Sequence, residues 1–109
     1  MSKNILITGA SSGIGKAVAL EFAKRDGSKN HIILAARNQE KLNLVAEEVK
    51  NFGAEASIFI TDFSNKESIA KLFTNLEKKF STLDLVLNNA GLGYVKEAIA
   101  LSDDEVEQI

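Results

Sequence analysis

The chain has 109 residues, of which 45% are apolar and 26% charged, the composition of an ordinary folded domain. Its 13 basic and 15 acidic residues are interspersed, so no broad basic surface is offered to nucleic acid or anionic lipid. The sequence has no cysteine and one histidine, which excludes disulfides and leaves little for a metal site. No segment has the length of a signal sequence or of a membrane-spanning helix, and we expect a cytoplasmic protein.

The first strand and helix are predicted at the N-terminus. Residues 4–8 form a nearly continuous apolar run that ends at Gly9, which is typical of a strand buried in a parallel sheet. Residues 13–25 follow with helical spacing. Their predicted apolar stripe consists of Ile14, Ala17, Val18 and Phe22.

A second strand and helix follow a turn at residues 26–30. Residues 31–36 are predicted to form the strand, and Asn38 is predicted to cap the helix. Gly53 ends this helix. Its predicted stripe consists of Leu42, Val45, Ala46 and Val49.

The remaining pattern predicts two more strands and two more helices. Residues 56–60 and 84–88 read as strands. Ser64 to Glu67 match a capping box, in which the serine and the glutamate satisfy each other's backbone donors, and this predicts a third helix. Its stripe would consist of Ile69, Leu72, Phe73, Leu76 and Phe80. A second capping box at Ser102 to Glu105 predicts a fourth helix, and we expect the chain to be truncated inside it at residue 109.

This alternation predicts an α/β fold of the doubly wound (Rossmann) type, with a parallel sheet of about four strands and helices on both faces. The chain would then be one domain, residues 1–109. Its length excludes a β/α barrel, which needs about 250 residues. By analogy with the doubly wound strand order, the fourth strand would lie at the sheet edge and expose an apolar, unpaired edge. We expect a homo-oligomer formed through that edge, or else marginal stability.

The glycines of the segment ITGASSGIG point to an anion site. Gly9, Gly13 and Gly15 join a buried strand to a helix, where the first backbone N–H groups of the helix are unpaired and the helix dipole is positive. Ser11 and Ser12 add hydroxyl donors. The strand before the loop and the helix after it favour phosphate binding over a plain strand-to-helix turn. The loop lacks the Gly-Lys-Ser/Thr that would hold a nucleoside triphosphate through a lysine and magnesium, which disfavours that ligand.

The other strand ends supply further binding candidates, because ligands of doubly wound sheets lie across the carboxyl ends of the strands. Arg37 follows the second strand where an acidic residue would select NAD; a cation there favours a 2′-phosphate and hence NADP, although a solvated loop arginine is the alternative. Asp62 could accept the adenine amine or merely close a turn. Residues 88–91, Asn-Asn-Ala-Gly, could place a flat ligand against the backbone, but are also an ordinary turn signal.

Taken in this order and spacing, these motifs resemble the N-terminal half of the short-chain dehydrogenase/reductase family over essentially the whole chain. The resemblance implies that the glycine loop, including Ile14, holds the dinucleotide pyrophosphate and that Arg37 selects NADP(H). It further implies that Asp62 contacts adenine. The ribose would be lined by Asn89, Ala90 and Gly91.

The same resemblance marks what the chain does not contain. The family's acid–base residues are a serine and a Y-x-x-x-K pair, which reduce a carbonyl or oxidise an alcohol in the C-terminal half. Tyr94 is the only tyrosine here, and Ala98 stands four residues after it. His31 opens a strand without an evident partner and is interpreted as structural. We therefore predict part of an NADP-dependent oxidoreductase with no catalytic residue of its own; a stand-alone binding module or an interaction domain without cofactor are the alternatives.

Overall fold

The computed structural model describes residues 3–11, 13–26, 30–89 and 106–108. Strands and helices alternate along these residues, as the sequence predicts. They are β1 (Lys3–Thr8), α1 (Gly13–Asp26), β2 (Asn30–Ala36), α2 (Gln39–Asn51), β3 (Glu55–Ile60), α3 (Lys66–Lys79), β4 (Leu83–Asn88) and the short β5 (Val106–Gln108). All pairs of neighbouring strands are parallel, and the order across the sheet is β3-β2-β1-β4-β5. The predicted α/β fold is confirmed.

The sheet separates two apolar cores, because side chains of a strand alternate between its faces. Ile5 and Ile7 of β1 face α1 and α2, whereas Leu6 between them faces α3. The helices are therefore distributed over both faces of the sheet, and β1 is buried from Ile5 to Thr8. None of the described helices combines the length and apolar composition needed to cross a bilayer.

Helix α1 packs on the sheet mainly through small residues, and the stripe predicted for it is only half correct. Val18 and Phe22 are half-buried and pack against the core on this face, whereas the other two predicted residues are exposed. Ile14 is 71% exposed, and Ala17 is exposed as well. The buried positions are Gly15, Ala19 and Ala23, spaced by four residues. Small side chains bring the helix axis close to the sheet, and this close approach decides the orientation of α1 more strongly than the position of its largest apolar residues.

Helix α2 buries all the residues predicted for it, and α3 buries all of its own except Phe80, which is half-buried at the C-cap. Only α2 has the predicted N-cap. In α2 the side chain of Asn38 accepts a hydrogen bond from the Lys41 N–H at 3.0 Å, as expected. Helix α3 is capped by Asn65, whose Oδ1 accepts from two N–H groups of the first turn at 2.9 and 3.1 Å. Ser64 is not the cap, because its N–H and hydroxyl are both engaged by Asp62.

The predicted fourth helix and sheet edge are also wrong. Residues 102–105 and 109 lie outside the described residues, but Val106–Gln108 form a strand that pairs with β4 from Leu83 to Val86. The backbone groups along the free side of β4 offer these residues hydrogen-bonding partners instead. β4 is therefore not the edge strand, and β3 and β5 are the outermost strands.

Candidate functional site

A crevice opens at the carboxyl ends of the central strands. Its volume is about 290 Å³. The residues that line it come from the last residue of β2 and from the turns after β1, β2 and β3: Gly9, Ser11, Ala36, Arg37, Thr61, Asp62, Phe63 and Ser64. The chain winds outward from β1 to β3 and then returns to the other side of β1 with β4. This reversal is the position at which doubly wound sheets bind their ligands.

The glycine loop leaves β1 and turns immediately across β2. Gly9 has a φ of +64°, a left-handed conformation that glycine adopts at little cost. Its N–H donates to the Ala35 carbonyl at 2.8 Å, which anchors the beginning of the loop to β2. Gly13 also has a positive φ, +61°, and is the first residue of α1. The two left-handed glycines direct the chain from β1 into α1 within five residues, so the positive end of the helix lies beside the crevice.

Gly15 has a different role, close packing. A Cβ at this position would lie 2.3 Å from the Gly9 carbonyl oxygen and 2.8 Å from Nδ2 of Asn89. Asn89 itself donates from Nδ2 to that same oxygen at 3.2 Å. The loop after β1, the first turn of α1 and the residue after β4 therefore meet with no room for a side chain on residue 15.

A cation and a carboxylate lie together in the crevice. Arg37, directly after β2, is exposed, and Asp62, after β3, is half-buried. Hydrogen bonds from the hydroxyl and N–H of Ser64 lower the pKa of Asp62 below its ordinary value, and the positive charge of Arg37 lowers it further. Asp62 is therefore an ionised acceptor at neutral pH, and Arg37 supplies positive charge at the same opening.

Asp62 is held by its backbone as well as by its side chain. Its N–H donates to Oγ of Ser68 at 2.8 Å, and its carbonyl accepts from the N–H of Asn65 at 3.1 Å. The preceding residue, Thr61, donates its N–H to the Ala36 carbonyl at 2.9 Å. The turn between β3 and α3 is thus bonded both to β2 and to the first turn of α3, and a ligand would meet a preorganised surface.

The structure brings some of the predicted binding residues together and separates others. Gly9, Ser11, Arg37 and Asp62 line the crevice. Gly13, Ile14 and Gly15 form the first turn of α1, and Asn89 contacts the glycine loop without lining the crevice. Ser12, Ala90 and Gly91, like Tyr94, lie outside the described residues. Sequence reasoning missed Ala36, Thr61, Phe63 and Ser64, although their positions next to Arg37 and Asp62 at two strand ends could have indicated them.

His31 lies at the other end of the sheet and does have partners, contrary to the expectation from the sequence. Its Nε2 is 2.7 Å from Oγ of Ser57, and its Nδ1 is 3.3 Å from a carboxylate oxygen of Glu55. Its ring also meets that of Phe80 edge-on, with the centroids 4.9 Å apart. Burial lowers the pKa of His31 and outweighs the opposing effect of Glu55, whose side chain is 76% exposed and well screened by water.

No group of three or more residues able to hold a metal ion occurs within the described ranges. The lining of the crevice is complementary to an organic anion that also carries a hydrogen-bond donor. Backbone N–H groups, a serine hydroxyl and a guanidinium lie on one side, and a carboxylate acceptor lies on the other. A phosphorylated nucleotide carries both complementary features, since it has anionic phosphates and a base with an amine donor.

Comparison with known proteins identifies relatives over almost the whole chain. The family model described as short chain dehydrogenase matches residues 3–109. A 3beta-hydroxysteroid dehydrogenase from Mediterraneibacter gnavus is 35% identical over 108 residues, which are 98% of this chain and 38% of the relative. The chain therefore spans well under half the length of this relative.

Solved structures show the same fold bound to two kinds of cofactor. L-sorbose reductase from Gluconobacter frateurii, complexed with NADPH and L-sorbose, aligns with a TM-score of 0.74 and 34% identity over 84% of this chain and 34% of its own. An NADH-dependent reductase complexed with NAD aligns with a TM-score of 0.69 and 25% identity, over 80% of this chain and 35% of its own.

Proposed function

Because the chain belongs to the short chain dehydrogenase family, we propose that it binds NADP(H) and forms the dinucleotide-binding part of an oxidoreductase. The observation that carries this proposal is the crevice in which the glycine loop, Arg37 and Asp62 meet at the reversal of the sheet. The residues of the crevice fit such a cofactor in charge and in hydrogen-bonding capacity.

The proposed pyrophosphate position is the glycine loop at the first turn of α1. Unpaired N–H groups and the positive end of the helix dipole favour a phosphate there, and Ser11 adds a hydroxyl. The contact between Gly15 and Gly9 supports this role, because any side chain on residue 15 would displace the loop. Asn89 holds the Gly9 carbonyl in its place from the side of β4.

The proposed preference for NADP over NAD rests on Arg37. Its guanidinium is a permanent cation at the carboxyl end of β2, and neighbouring Ala36 offers no carboxylate to a ribose 2′-hydroxyl. A 2′-phosphate can accept two parallel hydrogen bonds from such a guanidinium. The relative complexed with NADPH agrees with this preference, whereas the one complexed with NAD shows that the fold alone does not decide it.

The proposed reaction class is hydride transfer between the nicotinamide and a carbonyl or alcohol, for which the bound cofactor supplies the redox chemistry. In this proposal the residues of the chain bind and orient the dinucleotide, and none of them is assigned a catalytic role. The expected cytoplasmic location stays a prediction. So does the homo-oligomer, although the edge on which it was predicted is covered by β5.

Calorimetric titration of the chain with NADP⁺ and NAD⁺ tests the proposal. Arg37→Ala should weaken NADP⁺ binding by about 1–3 kcal/mol, the scale of a charge-assisted hydrogen-bond pair, and leave NAD⁺ binding nearly unchanged. Arg25→Ala is the matched control, since Arg25 is also exposed but lies in the last turn of α1, away from the crevice. An equal loss for both cofactors would remove the 2′-phosphate role of Arg37, and no binding of either would refute the proposed function.

A further inference from the structure

The two oxygens of the Asp62 carboxylate have different surroundings. Oδ1 accepts a hydrogen bond from the Ser64 hydroxyl at 2.6 Å and another from the Ser64 N–H at 3.0 Å. Among the described residues, Oδ2 accepts none. Asp62 lines the crevice, and so does Ser64. One oxygen is therefore committed to Ser64, and the other keeps its full capacity to accept.

A freely rotating carboxylate presents two equivalent oxygens, but this one cannot. A quarter-turn about its terminal bond would break two hydrogen bonds to an ionised group, each stronger than a neutral bond. The backbone of Asp62 is fixed at the same time, by its bonds to Ser68 and Asn65. The direction in which the free oxygen accepts is thus set before a ligand arrives.

Resting on the proposed function, we propose that Ser64 is a positioning residue that sets the nucleobase specificity of the crevice. By holding Oδ1, it leaves Oδ2 as the fixed acceptor for the exocyclic amine of adenine. A purine with a carbonyl at this position, such as hypoxanthine, would bring an oxygen against an ionised oxygen and be rejected. Sites built around one buried or oriented polar group discriminate strongly against a ligand that cannot satisfy it.

The position of Ser64 allows this role to be separated from a structural one. Ser64 is exposed, and the N-cap of α3 is the neighbouring Asn65. Removing the Ser64 hydroxyl therefore leaves the cap and both apolar cores intact. A side chain that served only the turn would alter folding stability, or weaken every cofactor equally, without changing the choice between two bases.

The test is calorimetric titration of the 109-residue chain with NADP⁺ and with its hypoxanthine counterpart, which differs only by the 6-oxo group. Wild type should prefer adenine by about tenfold or more. Ser64→Ala keeps the backbone N–H but loses the hydroxyl, and the preference for adenine over hypoxanthine should narrow by about three- to tenfold. Ser64→Thr keeps a hydroxyl and should retain the wild-type preference. Ser81→Ala is the matched control, because Ser81 is an exposed serine before β4, at the opposite end of the sheet.

A second variant tests the orientation directly. In Asp62→Asn the two Ser64 donors require the amide oxygen, so the amide nitrogen should face the base and donate. The preference should then invert toward hypoxanthine, and the double variant Asp62→Asn with Ser64→Ala should lose much of that inversion. This pattern does not arise from a change in stability.

The possible results separate this inference from the proposed function. The inference is supported if the preference for adenine over hypoxanthine narrows in Ser64→Ala and is retained in Ser64→Thr. An unchanged preference in Ser64→Ala, or a wild type that binds both bases equally, overturns the inference while dinucleotide binding stands. A wild type that binds neither compound overturns the proposed function itself.

Discussion

Replacing Gly15 with alanine is the most direct perturbation of the contact between the glycine loop and α1. The added Cβ would lie 2.3 Å from the Gly9 oxygen, whereas ordinary contacts begin at 3.4 Å, so loop and helix must separate by about 1 Å. Overpacking of this kind costs about 1–3 kcal/mol. Displacing Asn89 from the Gly9 carbonyl costs about 1 kcal/mol more, and the better helix propensity of alanine returns about 0.5–1 kcal/mol.

The net expectation is a loss of about 1–3 kcal/mol in the free energy of unfolding. Urea denaturation followed by circular dichroism measures this loss through the transition midpoint, provided that the slope is unchanged. The NADP⁺ affinity should fall with it, because the displaced loop is the proposed pyrophosphate seat.

Ala17→Gly in the same helix is the matched control. Ala17 is exposed, so this substitution measures the intrinsic alanine-to-glycine difference in α1, a loss of about 0.5–1 kcal/mol. If Gly15→Ala were to gain stability by the amount that Ala17→Gly loses, residue 15 would experience helix propensity alone. The steric argument, and the role given to Gly15 in holding the loop, would then be refuted.

Two further predictions concern the cap of α3 and the histidine. Asn65→Ala should destabilise the fold by about 1 kcal/mol in urea. Ser64→Ala should cost less, because Ser64 is exposed and its hydrogen bond to Asp62 is screened by water; the reverse order would restore the cap predicted from the sequence. Because the folded-state pKa of His31 is lowered from 6.5, the unfolded chain binds the proton more readily, and stability falls as pH drops below that value. In urea denaturation, the free energy of unfolding of His31→Gln should fall less than that of wild type between pH 7.5 and pH 5. A smaller fall in wild type would mean that the charge of Glu55, which raises the pKa of His31, outweighs the effect of burial.

The sequence by itself determined the order and type of the elements from β1 to β4. Their signals are local: apolar runs of strand length, stripes at helical spacing in α2 and α3, a glycine after α2 and the Asn38 cap. The position of the site could also be predicted from the sequence, because the carboxyl ends of all strands of a parallel sheet lie at one edge. The positions of Gly9, Arg37 and Asp62 after three successive strands were therefore enough to predict that they meet.

The tertiary structure decided what depends on neighbours distant in sequence. Which face of α1 is buried follows from the close approach of Gly15 to Gly9, a contact between elements that no helical periodicity encodes. Two adjacent polar residues, Ser64 and Asn65, can each cap a helix, and the choice between them followed from the bonds that Asp62 makes. The pairing of β5 with β4, likewise, depends on an available strand edge, which is a property of the assembled sheet.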